Sequence, residues 1–79
     1  MNVTMAIKDY IRTDLMNDAT SELDEAENLL AAGIIDSLGI LRLVSFVEEK
    51  FDVEVPDEDV TIENFQSVES ISNYVAQLQ

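Results

Sequence analysis

With 79 residues, of which 47% are apolar, the chain has room for one domain, residues 1–79, around one core. A chain this short buries only about 60–65% of its unfolded surface on folding, so its stability margin is thin. Seventeen acidic against four basic residues give a net charge of −13, and His, Cys and Trp are absent; disulfides, thiolate zinc sites and Cys or His chemistry are excluded, and nucleic acid and anionic membranes are disfavoured.

In chain order, Val3, Ile7, Tyr10, Ile11 and Leu15 recur at helical spacing, with Lys8, Asp9, Arg12 and Asp14 between them. This predicts an amphipathic first helix of three to four turns, ended by Asn17 and Asp18. Residues 17–36 follow as a long polar, then apolar, connection. Glu27 to Ala32 can form one helical turn, with Gly33 as its stop. Leu23, Leu29, Leu30, Ile34 and Ile35 supply enough apolar surface to hold this connection on a core.

From Leu38 the helical period returns. Ile40, Leu43, Val47 and Phe51 form the inward stripe, and Asp36 or Ser37 supplies the cap. Leu38 and Leu41 fall off the stripe. Val53 to Pro56 ends the helix. "PDEDVTIENF" predicts a short third helix or turn with Thr61 as its cap. Ser67 then caps a last helix with Val68, Ile71, Val75 and Leu78 on one face. "FDVEVP" alternates, but one short strand has no partner. The expected fold is all-α: three main helices, a short third one and a long first loop.

Little here can catalyse. Without His or Cys, acid–base work falls to carboxylates, lysines or tyrosines, and a small bundle has little room for a pocket that excludes water. Gly33 and Gly39 match no phosphate-binding motif. Asp57-Glu58-Asp59 lacks the spacing and the glycine of a calcium loop, and acids at a helix start suit the dipole. No segment has the ~20 apolar residues of a membrane span, and no basic-then-apolar start suggests a signal peptide, so a cytoplasmic location is expected. What remains is Ser37, where a loop becomes a helix. Unpaired backbone N–H groups and the positive dipole end would favour an anion attached there. On physical grounds alone, a plain N-cap is the better explanation.

The segment from Gly33 to Val75 resembles the carrier protein family, which comprises acyl, aminoacyl and peptidyl carriers. The resemblance rests on Asp36-Ser37-Leu38 opening a helix that runs into "EEKFDVEVP", and it extends over the whole chain. It implies a four-helix bundle without catalytic activity. It also implies that Ser37, flanked by Asp36 and Leu38, carries 4′-phosphopantetheine added from coenzyme A by a separate phosphopantetheinyl transferase. The arm's thiol would hold acyl or aminoacyl cargo as a thioester. Partners would be a loading ligase and synthase or transferase enzymes that dock on the second helix through basic patches, with the carrier acting as a monomer.

Glu48 and Glu49 keep the acidic character that such partners read, and Leu41 and Ile62 join Leu38 as expected contacts. Two positions depart from fatty-acid carriers, which have acids where this chain has Gly39 and Arg42. Both are expected on the partner surface, and both point to polyketide, nonribosomal or other specialised biosynthesis. Alternatives are a D-alanyl or aminoacyl carrier, a housekeeping fatty-acid carrier, or, in another class, an acidic helical interaction domain without cofactor. In acyl carriers the core can also part to shelter a fatty chain.

Overall fold

A computed structural model of the chain describes residues 3–18 and 22–79. Four α-helices carry the fold: α1 (Val3–Tyr10), α2 (Ser37–Phe51), α3 (Ile62–Phe65) and α4 (Val68–Leu78), with no strand among the described residues. This is the expected all-α bundle with a short third helix. "FDVEVP" is extended after Asp52 but pairs with nothing.

The first helix is the expected length, but not α-helical throughout. After Tyr10 it widens into a π-helical turn, Ile11–Leu15, closed by the Met16 N–H on the Ile11 carbonyl at 2.7 Å. Asn17 then turns the chain at φ 56, a left-handed conformation that asparagine tolerates better than most residues. The wider turn keeps Ile11 fully buried and Leu15 packed against the core.

The connection to α2 is packed, as its apolar residues predict. Leu23, Leu29 and Ile35 are buried, and Leu30 and Ile34 lie half-buried against the same core. Its backbone is also tied across the molecule. The Leu29 N–H donates to the Gln66 carbonyl at 2.7 Å, and the Glu69 N–H donates to the Glu25 carbonyl at 2.9 Å. Residues 28–33 form a hydrogen-bonded turn rather than a defined helix. It ends in paired bonds from Gly33 N–H to Leu30 and from Ile34 N–H to Leu29, with Gly33 at φ +75. That is the pattern of a helix C-terminus closed by a left-handed residue, and glycine enters it without the Cβ penalty. Residues 19–21 of the connection lie outside the described residues.

The caps follow the sequence. Thr61 accepts from the Asn64 N–H at 3.3 Å, and Ser67 accepts from the Ser70 N–H at 3.0 Å. Asp57–Asp59 makes a tight 3₁₀ turn ahead of α3. The α4 face expected from periodicity buries Val68, Ile71 and Val75, and it adds Tyr74. The Tyr74 hydroxyl donates to Asp59 Oδ2 at 2.5 Å, which fastens the 3₁₀ turn to α4. Helix α1 packs along α4, with Thr4 Oγ1 bonded to Ser72 Oγ at 3.0 Å. The core closes around Phe65, Leu43, Val47 and Ile7, all fully buried.

Candidate functional site

The site is built from the junction between the packed connection and α2. Asp36 and Ser37 compete for the cap in the sequence; the structure gives it to Asp36. Asp36 is extended, and its Oδ1 accepts from the Gly39 N–H at 2.9 Å. Ser37 is therefore the first helical residue, not the cap. It is exposed, and its hydroxyl has no hydrogen-bond partner among the described residues.

The N–H groups of Ser37 and Leu38 lie in the first turn and have no acceptor within the helix. No acidic residue occupies that turn. A phosphodiester on Ser37 Oγ would meet these donors and the positive end of a 15-residue helix. The residues present thus fit a phosphorylated arm at this position. Asp36 would hold the helix start in place, and Ser37 would provide the attachment oxygen.

The other expected site residues divide. Leu38 and Leu41 are exposed, at 69% and 56%, beside Ser37 on the open side of α2. Ile62 is 60% exposed on α3. Arg42 and Lys50 are exposed and make no ion pair with any described residue, whereas Lys8 and Arg12 pair with Glu25 and Asp9. Glu49 is exposed, and Ser37 lies twelve residues, about 18 Å of helix axis, before it. Glu48 is only half-exposed. Its Oε2 accepts from the Val55 N–H at 2.9 Å, which anchors the chain leaving α2.

Gly39 needs a correction. Expected on the partner surface, it is buried. A Cβ built there would stand 3.0 Å from the Cβ of Ile35 and 3.6 Å from Asp36 Oδ1. The close approach that calls for glycine is made by the chain's own connection, which crosses the first turn of α2. Sequence reasoning placed Ile35 in the core but gave no sign of this contact.

Two further features escaped the sequence. The π-helical turn brings Leu15 to a groove beside Ser37, and no residue pattern announces such a turn. The phenol of Tyr10 stacks on Phe46, ring centroids 4.2 Å apart, and bonds the Arg42 carbonyl at 3.5 Å. This fixes α1 against the outer half of α2.

Comparison with known proteins agrees with the geometry. Residues 6–75 match the family model described as "Phosphopantetheine attachment site". An acyl carrier protein of Clostridium acetobutylicum is 39% identical over 69 residues, covering 87% of this chain and 86% of that protein. A D-alanyl carrier protein of Streptococcus suis is 31% identical over 78 residues, covering 99% and 96%. Among solved structures, a chain in one titled "Crystal structure of FAD-dependent dehydrogenase" superposes with a TM-score of 0.76 at 30% identity. The match covers 87% of this chain and 97% of that one. No described helix is long and apolar enough to cross a membrane. The chain belongs to the phosphopantetheine-dependent carrier proteins: it is a non-catalytic carrier whose working group is a covalently attached 4′-phosphopantetheine.

Proposed function

We propose that Ser37 is the attachment point and that the chain presents acyl or aminoacyl thioesters to partner enzymes in a specialised biosynthetic pathway. The observation that carries the attachment is the exposed Ser37 hydroxyl, first in α2 and without a hydrogen-bond partner, behind an Asp36 cap. When bound, the arm supplies a thiol, which this Cys-free chain lacks. The chain's own residues do the rest. Asp36 holds the helix start, first-turn N–H groups face the phosphate, and the exposed side of α2 carries Leu38, Leu41, Arg42 and Glu49 to a partner.

The test is intact mass after incubation with coenzyme A and a broad-range phosphopantetheinyl transferase. One phosphopantetheinyl increment, lost in Ser37→Ala, is expected. No gain, or a gain that survives Ser37→Ala, overturns the assignment.

The specialised pathway is supported by Arg42, an exposed cation without an ion pair among the described residues, on a carrier of net charge −13. A basic docking patch would meet like charge there. Similarity to a D-alanyl carrier over nearly the whole chain supports an aminoacyl cargo as the second reading. The solved neighbour's title adds flavin-dependent dehydrogenases to the partners worth testing. Incubating the holo protein with acyl- and aminoacyl-loading ligases, and reading each loaded mass, separates these readings. Exclusive loading by a fatty-acid synthase enzyme would overturn the specialised assignment.

A further inference from the structure

A groove of about 470 Å³ runs beside the attachment point, between the end of the first helix, the connection and α2. Asp36 and Leu38, the two neighbours of Ser37, both line it. Ser37 does not itself line the groove, so an arm tethered there starts next to it and enters past Asp36 or Leu38. Its walls are apolar: Leu15 from the π-helical turn, Ile34 and Ile35 from the connection, and Leu38 from α2. Its volume falls within the range of small-ligand sites.

Arg42 also lines the groove. It lies four residues after Leu38, on the same side of α2. Its guanidinium has no carboxylate partner among the described residues, although the chain has 17 acids. Asp36 does not neutralise it. That carboxylate is six residues earlier, about 9 Å along the axis, with Oδ1 held by the Gly39 N–H. The groove is thus lined by apolar side chains with one carboxylate, Asp36, and one guanidinium, Arg42. With a net charge of −13, most of this surface repels anions. Beside Arg42 an anion is welcome.

We propose that this groove seats the loaded arm and favours an acyl group with a second, free carboxylate, which Arg42 binds. A guanidinium receives a carboxylate through paired, charge-assisted hydrogen bonds, while the methylenes between thioester and carboxylate cover the apolar wall. A neutral acyl group gains only the wall. An aminoacyl group brings an ammonium towards Arg42 and is repelled. The proposal rests on Ser37 carrying the arm, and its test separates the two.

Transfer the arms of succinyl- and butyryl-coenzyme A to the protein with the broad-range transferase, and confirm each mass. The two groups are of similar length and differ in the terminal carboxylate. Compare ¹H–¹⁵N spectra of the two loaded forms and of the loaded Arg42→Gln variant. The succinyl form is expected to shift the amides of Leu15, Ile34 and Leu38, and the Arg42 Nε resonance, relative to the butyryl form. The difference should vanish in Arg42→Gln and shrink with added salt. Identical spectra for the two forms at these positions overturn the proposal, as does a difference that persists in Arg42→Gln. Failure of the mass gain itself instead overturns Ser37 as the attachment point.

Discussion

Replacing Gly39 by alanine separates two explanations of that glycine by the sign of one number. Glycine inside a helix costs about 0.5–1 kcal/mol relative to alanine, so Gly39→Ala stabilises α2 by that amount if nothing opposes it. The structure opposes it. The new methyl would stand 3.0 Å from Ile35 Cβ and 3.5 Å from its Cγ2. Ile35 is buried, and its Cβ moves only with its backbone. That backbone is held by bonds from the Ile34 and Ile35 N–H groups to the Leu29 carbonyl, at 2.9 and 3.3 Å. Overpacking of this kind costs roughly 1–3 kcal/mol. The expected balance is a net loss of about 1 kcal/mol, or ~4–8 °C in Tm for a domain of this size. The assay is thermal and urea unfolding of the unmodified protein, followed by far-UV circular dichroism. A gain of about 0.5–1 kcal/mol would refute the packing argument and leave Gly39 with only its expected place on the partner surface.

Three further outcomes are expected. Burial, then the hydrogen bond to Asp59, pushes the Tyr74 hydroxyl up to about 12. Below pH 10 folded and unfolded chains both keep that proton, and its contribution is complete; between about pH 10 and 12 only the folded state keeps it. Stability therefore falls by roughly 1.4 kcal/mol per pH unit from this group across that window, and urea unfolding of Tyr74→Phe should lack that component. Gly33→Ala forces a Cβ into φ +75 with no atom within 4 Å of it. The loss there is conformational, about 1–2 kcal/mol, with Gly33→Asn milder; equal midpoints for alanine and glycine in urea would contradict it. Ser67→Ala removes the buried cap of α4 and its 3.0 Å bond to the Ser70 N–H, so calorimetry should show a loss of about 0.5–2 kcal/mol.

Most of the fold was legible because its signals are local. The stripe of Ile40, Leu43, Val47 and Phe51 dictates which side of α2 turns inward, and all four are buried. Thr61 and Ser67 mark helix starts through side chains that reach N–H groups three residues on, so their roles are readable from spacing. The candidate site was legible through the Asp36-Ser37-Leu38 triplet in its helical setting. The periodicity that puts Leu38 and Leu41 outside the core also predicts their exposure.

What the sequence determined by itself is the helix order, the inward faces, the caps of α3 and α4 and the serine at the junction, because each depends on residues within one or two turns of one another. Tertiary structure decided what depends on residues far apart. The structure also settled one local choice that spacing leaves open, giving the α2 cap to Asp36, with the Ser37 hydroxyl bonded to no described residue. It laid Ile35 over the first turn of α2, which turns Gly39 from a surface residue into a packing requirement. The π-helical turn set Leu15 beside the same junction, and Arg42 was left without an ion pair among the described residues. Local rules choose the elements; the shape and charge around Ser37 exist only once α2, the connection and the end of the first helix share one core.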